Sequence, residues 1–529
     1  LTAREDVLLQ PSARAGIRRD SAVVGGFILV HVGSRFLGDS FELAARGTST
    51  WQPFASTVSA AWAGLSPQAL VVGQHVFWWL ALGTIVIFLP YFLYSKHLHL
   101  FLAPINFLLK PERRSMGELD RLNFDDETIE QFGATRLEDL GYEQIIDAYA
   151  CIMCYRCQQV CPAYNTGKVL SPAALEINKR YLLNEEGGRL ARGEASSKTL
   201  LEYAITPEAV WACTACGACV DICPVGNEPM RDILDIRRAM VLMENEFPEQ
   251  LQNAFRGMER AANPWNVPPT ERMKWAEGLN VPTIEENPEP DILWWVGCAP
   301  STDARAQKTA RAFADILNTA GVNFAVLGEQ EQCTGDSARR AGNEFLFNEL
   351  ATMNVEVLNE VAPKRIVTTC PHCLHTLKNE YPAFGGHYEV IHHTQLINEL
   401  VGTGQIRLKS DGAEKITFHD PCYLGRQNDI IEEPRQVLKQ TQREFIELAR
   451  SGKKSFCCGA GGAQMWKEEE HGFQRVNQNR IQEAIGTGAD TLAVGCPFCM
   501  VMLNDANNAE NSAMKVLDVA EIVASQMER

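Results

Sequence analysis

The chain has 529 residues, 46% hydrophobic and 22% charged, which excludes a mainly disordered protein and leaves room for roughly three to four domains. Lys and Arg number 49 against 66 Asp and Glu, a net charge of −17, so no broad cationic footprint for nucleic-acid phosphates exists. Seventeen cysteines, an odd number in a long chain and grouped in C-x2-C spacings, exclude a small secreted disulfide scaffold and point to metal or cluster ligation.

Residues 71 to 94 run 24 positions without Asp, Glu, Lys or Arg, enough to cross a hydrocarbon core of roughly 30 Å at about 1.5 Å per residue. The stretch 21 to 34, between Asp20 and Arg35, is shorter; it spans only if those flanking residues snorkel, and an interfacial or buried helix is the alternative. Spans are expected at about 21–38 and 69–95, within a membrane segment 1–110. Arg14, Arg18 and Arg19 precede the first, Lys96, Lys110, Arg113 and Arg114 follow the second, and the loop between is poor in basic residues, which predicts a cytoplasmic location for the rest. Neither segment is followed by a small-residue cleavage pattern, so no signal peptide is expected. The first residue is Leu rather than Met, leaving room for earlier sequence, further spans included.

Residues 111–145 form a charged connector, and 246–290, rich in Pro, Asn and Glu, a linker. Between them, 146–245 carries apolar residues at helical spacing. From 291 onward, short β-rich runs at 291–298, 323–328, 365–370, 388–393, 415–420, 454–459 and 491–496 alternate with helical segments. The expected fold is therefore multidomain: transmembrane helices, a helical unit at 146–245, and a duplicated α/β unit at 291–405 and 406–529.

Cys151, Cys154, Cys157 and Cys161 before Pro162 form C-x2-C-x2-C-x3-C-P, and Cys213, Cys216, Cys219 and Cys223 before Pro224 repeat it. This is the two-cluster ferredoxin pattern, in which three thiolates hold one cubane and the fourth reaches the other. The spacing assigns one [4Fe–4S] cluster to Cys151, Cys154, Cys157 and Cys223 and a second to Cys213, Cys216, Cys219 and Cys161. Zinc is the alternative, although its sites combine two separated pairs. The long insertion between Cys161 and Cys213 resembles the helical ferredoxin domain of succinate-dehydrogenase-type iron–sulfur subunits.

A second pattern repeats in the carboxyl-terminal half. Cys298 and Cys422 lie 124 residues apart, as do Cys333 and Cys457; Cys370 and Cys496 lie 126 apart, as do Cys373 and Cys499. Several follow β-rich runs, where an α/β sheet opens its crevice. The second copy has adjacent Cys457 and Cys458 before Gly459. The first has Gln332 and Cys333 before Thr334 and Gly335, so the expected departure lies at Gln332.

The order Cys, Cys-Cys-Gly, C-x2-C, doubled, resembles the cysteine-rich domain of heterodisulfide-reductase-type proteins, a family that also includes iron–sulfur subunits of glycolate, lactate and glycerol-3-phosphate oxidation systems. His419-Asp420-Pro421-Cys422-Tyr423-Leu424-Gly425-Arg426, Cys457-Cys458-Gly459-Ala460-Gly461-Gly462 and Cys496-Pro497-Phe498-Cys499 carry the match, which extends over nearly all of 146–529. The resemblance implies a non-cubane cluster on Cys422, Cys457, Cys458, Cys496 and Cys499. Copy one keeps Cys298, Cys333, Cys370 and Cys373, enough for an ordinary cubane, with zinc or a vacant remnant as the alternative.

Ser95-Lys96-His97-Leu98-His99 with Pro104 and Asn106, preceded by His75 and Trp78-Trp79, resembles the diheme cytochrome b subunit of respiratory nitrate reductase and its fused relatives. With Cys333-Thr334-Gly335-Asp336 and Glu380-Tyr381-Pro382, the combination resembles the membrane-bound electron-transfer flavoprotein:menaquinone oxidoreductases. The resemblance implies b haem, with His31, His75, His97 and His99 as candidate ligands. His75 and His99 are 24 residues apart, roughly 36 Å along a helix, so they cannot share one haem and each needs a partner from another helix. The family pattern places a further ligand near position 81, where this chain has Ala81, a departure that counts against a second haem. His97 and His99 as interfacial anchors beside Lys96 are the alternative.

No G-x-G-x-x-G follows a strand and opens a helix, so a flavin is expected on a partner. The resemblance implies electron-transfer flavoprotein as that partner, the menaquinone pool as acceptor, and a multi-pass protein of the inner (cytoplasmic) membrane in contact with lipid. An alternative is a quinol-linked reductase that cleaves a disulfide or related sulfur compound at the five-cysteine cluster; a third is a structural protein holding zinc. The pair Cys370 and Cys373 around His372 reads as cluster ligands rather than a catalytic dyad. His372, His392, His393 and His419 are either donors to cluster sulfur or satisfied structural residues.

Overall fold

The computed structural model of the chain describes residues 8–409 and 414–528. The first seven positions of the expected membrane segment, and residues 410–413 and Arg529 of the expected second repeat, lie outside them.

Two long helices, Pro11–Arg46 and Pro67–Phe92, each begin with proline where no amide hydrogen is required. Ser66 caps the second by accepting from the Ala69 amide, and Gly47, at φ 105°, ends the first. They pack through Phe27 on Phe88 (5.2 Å) and Phe41 on Phe77 (5.7 Å), while Leu29, Trp79 and Ile87 face outward. Both are long and apolar enough to cross a membrane, and only 11% of either apolar stretch is buried, unlike the core helix of a soluble domain. The first helix extends well before the expected start of its span because Ala13 and Ile17, with Leu9 ahead of them, pack against Ala174 and Ile177 of the helical unit.

An amphipathic helix, His99–Leu109, follows the second span and is not separable from it by hydropathy alone. Its Ala103 and Asn106 are buried, with Asn106 Nδ2 donating to Asp147 Oδ1 (2.7 Å) and to the Val225 carbonyl (3.1 Å); Leu100, Phe101, Phe107 and Leu108 face outward. The membrane segment is thereby clamped to the helical unit. There, Pro172–Leu190 and Pro229–Leu242 are the long helices that carry the cysteine loops.

Each α/β copy is a four-stranded parallel sheet. β1 (Ile292–Trp295), β2 (Phe324–Val326), β3 (Ile366–Thr368) and β4 (Val390–His392) have the order β2-β1-β3-β4. β5 (Lys415–Phe418), β6 (Glu444–Phe445), β7 (Thr491–Val494) and β8 (Lys515–Asp518) repeat it as β6-β5-β7-β8. The duplication is thus one of topology as well as of cysteines. Strands β1, β2, β3 and β7 read as unbroken apolar runs because both faces are covered. The β-rich run 454–459 is not a strand; Ser455 and Arg426 divert its backbone into the cysteine loop, and β6, short and half-exposed, supplies the edge instead.

The connector and linker are built into the molecule. Leu119 and Leu137 are buried, and Arg339 and Arg340 donate to the carbonyls of Leu119 (2.7 Å) and Gly117 (2.9 Å). Residues 246–290 include the helix Leu251–Ala261 and Trp275, whose ring meets Trp294 at 5.2 Å. Beneath the connector, Glu380 is fully buried among Arg340 (2.5 Å), Arg339 (3.6 Å) and His375 (3.5 Å). Burial opposes its ionisation, but the two guanidinium groups outweigh that and hold the carboxyl below its ordinary range. Glu380→Ala strands two buried cations and is expected to cost about 3–5 kcal/mol; denaturant unfolding of the purified variant measures it, and a cost under about 1 kcal/mol would show that the cations find other partners.

Candidate metal centres

The two ferredoxin-type loops have the same backbone. Met153 (φ 55°) and Tyr155 (φ 61°) follow Cys151 by two and four residues, and Ala215 (φ 48°) and Gly217 (φ 74°) follow Cys213 in the same way. These left-handed residues curl each loop so that its thiols face inward, and the amides of Met153 and Ala215 donate to the sulfurs of Cys151 and Cys213, both at 3.4 Å. Cys151, Cys154, Cys157 and Cys223 line one cavity, with Cys219 at its edge. Cys161, Cys213, Cys216 and Cys219 line the next. The fourth cysteine of each motif therefore lies in the cavity of the other motif.

Burial pushes the Cys151 thiol up to about 12, reinforced by nearby Glu176, and raises Cys157, Cys161 and Cys219 as well. Thiols in such surroundings ionise only beside a cation, and ligation to iron supplies one. The donor set fits a cubane in each cavity.

In the α/β copies, cysteines sit at the carboxyl ends of strands or in the loops beyond. Cys298 follows β1, Cys333 lies beyond β2, and Cys370 precedes the turn Pro371–His375 that carries Cys373. In copy two, Cys422 starts the helix after β5, Cys457 and Cys458 occupy the loop that leads to the helix Val476–Ile485, and Cys496 and Cys499 flank the start of the helix Pro497–Ala509 after β7. The Gly335 amide donates to Cys333 Sγ (3.5 Å) as the Gly459 amide does to Cys457 Sγ (3.3 Å), so these two cysteines correspond. Thr334, not Gln332, stands where copy two has Cys458. Thr334 Oγ1 donates to Cys373 Sγ (3.8 Å) just as Cys458 meets Cys499 (3.2 Å), whereas the Gln332 amide reaches out to Met353. The 124-residue offset that pairs Cys298 with Cys422 also pairs Cys333 with Cys457; the amide-to-sulfur contacts agree with it and move the departure from Gln332 to Thr334.

The thiols of successive units pack together. Cys216 shares one buried cluster with Cys422 and Cys457, and Cys370 of copy one shares another with Cys458, Cys496 and Cys499 of copy two. Gly461 and Gly462 permit the approach, since a Cβ at these positions would lie 2.5 Å from the Thr214 carbonyl oxygen and 2.4 Å from that of Cys213. Arg426 Nη1 donates to the Cys216 carbonyl (2.9 Å), Gln427 Nε2 to that of Ala215 (3.2 Å), and the buried Arg237 to those of Cys213 (2.7 Å) and Gly462 (3.0 Å). Arg237 and Gln427 carry no motif and are invisible to spacing.

The histidines divide. Arg480 donates to His419 Nδ1 (2.9 Å), which places the ring proton on Nε2, and His419 lies within 4.8 Å of the sulfurs of Cys458 and Cys499. His372 pairs with Asp336 (2.7 Å) and stacks on Tyr423 at 3.9 Å. His392 and His393 are engaged by Thr394 and Asp518. In the membrane segment, His31 bonds the Ala81 carbonyl (3.0 Å), His75 that of Val71 (2.8 Å) and His99 that of Lys96 (2.8 Å), while His97 lies 6.2 Å from His99. Among the described residues these four do not converge in opposed pairs, so this chain's spans do not assemble a bis-histidine haem site by themselves.

Buried thiol sets on a dicluster helical unit and a doubled α/β unit define an iron–sulfur oxidoreductase. The 4Fe-4S dicluster domain family matches residues 147–227, and the cysteine-rich domain family matches 292–378 and 416–504. The chain is 38% identical to the probable iron-sulfur-binding oxidoreductase FadF of Bacillus subtilis (strain 168), over 97% of this chain and 79% of that protein. It is 35% identical to the EtfAB:quinone oxidoreductase of Syntrophomonas wolfei, over 90% and 71%. It is 31% identical to a polypeptide of the dihydromethanophenazine:CoB–CoM heterodisulfide reductase of Methanosarcina barkeri, over 74% and 96%. The chain belongs to the iron–sulfur oxidoreductase family that these proteins represent.

Two outcomes follow from the thiol geometry. Cys151→Ser and Cys223→Ser should each lower the iron content by about four atoms, and the double variant by no more; additive loss would contradict a shared centre. The apoprotein should be fully stable below the ordinary thiol value of 9.0 and lose stability as pH rises toward about 12, because Cys151 ionises first in the unfolded chain. Denaturant unfolding below and above pH 9 tests this, with the iron-loaded protein, whose thiols are already deprotonated, as the insensitive reference.

Proposed function

We propose that this is a membrane-anchored oxidoreductase that passes electrons from reduced electron-transfer flavoprotein to menaquinone. It would be a multi-pass protein of the inner membrane with its soluble units on the cytoplasmic side. The observation that carries this reading is the 35% identity, over 71% of its length, to a protein named EtfAB:quinone oxidoreductase, in a chain that joins apolar helices to thiol-rich units.

Cys151, Cys154, Cys157 and Cys223 would hold one [4Fe–4S] cluster, and Cys161, Cys213, Cys216 and Cys219 the second. Cys422, Cys457, Cys458, Cys496 and Cys499 would hold a non-cubane cluster, and Cys298, Cys333, Cys370 and Cys373 a cubane, with Thr334 closing the place of a fifth thiolate. When bound, such clusters supply single-electron carriers between a two-electron flavin donor and a two-electron quinone acceptor. The chain's own part is to hold and tune them. Amides of Met153, Ala215, Gly335 and Gly459 donate to sulfur, and each favours the more negative, reduced state, while the His419 ring lies near the sulfurs of Cys458 and Cys499. The Arg237 guanidinium adds a fixed cation at the junction. No step is assigned to b haem, since His31, His75, His97 and His99 do not converge.

A second reading, a quinol-linked reductase of a heterodisulfide or related sulfur compound, is favoured by the 31% identity to the Methanosarcina heterodisulfide reductase polypeptide and by the fifth thiol of copy two. Anaerobic mixing separates the two. Stoichiometric reduced electron-transfer flavoprotein should bleach the visible absorbance of the holoprotein, and menaquinone should restore it. Disulfide turnover with no bleaching by the flavoprotein would overturn the first reading.

A further inference from the structure

The end of the second span meets the helical unit at an elbow, Leu93–His99, that none of the thiol sets explains. There Arg180, 4% exposed, donates from Nη2 to the Ser95 carbonyl (2.8 Å) and lies over the Tyr149 ring at 5.5 Å, while its enclosed Nη1 has no partner among the described residues. His97 Nδ1 is likewise enclosed with no partner among the described residues, beside the rings of Phe88 (6.5 Å) and Phe92 (6.3 Å). Beside them the buried carboxylate of Asp20 accepts from Tyr91 Oη (2.8 Å) and the Lys96 amide (3.3 Å). Two enclosed nitrogens at one place are costly unless something accepts from them.

Arg180 also lies one helical turn beyond Glu176, which with Ala173 lines the cavity of Cys151, Cys154, Cys157 and Cys223. The elbow is therefore both at the end of an apolar span and next to a thiol set. On the helix that follows, the outward Leu100 and Phe101 continue its apolar margin.

We propose that the headgroup of a membrane quinone binds at this elbow, its two carbonyl oxygens accepting hydrogen bonds from the Arg180 guanidinium and the His97 imidazole. The site rests on the reading of a quinone as electron acceptor and names where that acceptor is held. A flat ring bearing two opposed acceptors and an isoprenoid tail suits aromatic neighbours and two polar nitrogens at the end of an apolar span.

Holoprotein in phosphatidylethanolamine–phosphatidylglycerol vesicles, illuminated with an azido-naphthoquinone, should carry the label on peptides containing Tyr91–His99 or Arg180, with loss of label when menaquinone competes. Label confined to other peptides would overturn the site whether or not any variant folds. His97→Phe and Arg180→Gln should each raise the half-saturating menaquinone concentration for reoxidation of dithionite-reduced protein by about tenfold, with iron content unchanged; unchanged half-saturation in both would also overturn it. Dithionite removes the flavoprotein from the measurement. Wild-type protein that menaquinone does not reoxidise would refute the acceptor assignment itself, an outcome distinct from normal reoxidation with unaffected variants.

Discussion

The fully buried Arg237 guanidinium donates to the carbonyls of Val210, Cys213, Arg340 and Gly462, at 2.7 to 3.0 Å, and so ties the helical unit to both α/β copies. Removing a guanidinium from water costs several kcal/mol, on the order of what its charge-assisted hydrogen bonds return at about 1.5–3 kcal/mol each. The arrangement adds little net stability, but it fixes which carbonyls converge. Because the Cys213 loop and the Gly462 loop must both face this cation, Cys216 comes to rest against Cys457. The glycines at 461 and 462 make the approach sterically possible, and Arg426 and Gln427 fasten the rim.

From that junction the thiol sets extend in both directions without a gap in the protein matrix. Toward the membrane, Cys219 borders both ferredoxin-type cavities, and the cavity of Cys151 abuts the elbow of the second span. Away from it, copy two reaches copy one where Cys496 meets Cys370. Segments that follow the central strands of the two sheets meet there, and His372 of copy one stacks on Tyr423 of copy two. Two centres built on one topology differ by a single side chain, Thr334 against Cys458. A hydroxyl is a harder and far less acidic donor than a thiol, so that one residue separates a four-thiol site from a five-thiol site.

The grouping of the ferredoxin-type thiols was legible in the sequence because metal chemistry dictates the spacing C-x2-C-x2-C-x3-C-P, and the structure gathers each predicted set around one cavity. Strands β1, β3 and β7 were legible because a doubly covered sheet writes short, largely apolar runs, and β5 because Ile416 and Phe418 alternate with more polar residues. The departure of copy one was misplaced at Gln332, the residue before Cys333; the Gly335 amide on the Cys333 sulfur puts it at Thr334. Arg237 was illegible because a cation that binds backbone carbonyls selects geometry, not residue types, and leaves no pattern. The run 454–459 looked like a strand because Phe456 and its neighbours are apolar, yet side-chain bonds from Arg426 and Ser455 divert it. The helix His99–Leu109 merged with the preceding span because its outward face is as apolar as the span itself.

If the ferredoxin-type unit and copy two form one continuous electron relay through the Cys216–Cys457 contact, their centres must sense each other magnetically. Paramagnetic resonance of the fully reduced, iron-loaded protein tests this directly. Spin–spin broadening is predicted between the centre held by Cys161, Cys213, Cys216 and Cys219 and the centre of copy two, lost in Gly462→Val, whose added side chain must push the two loops apart. Spectra that sum as independent, non-interacting centres in the unaltered protein would contradict the relay.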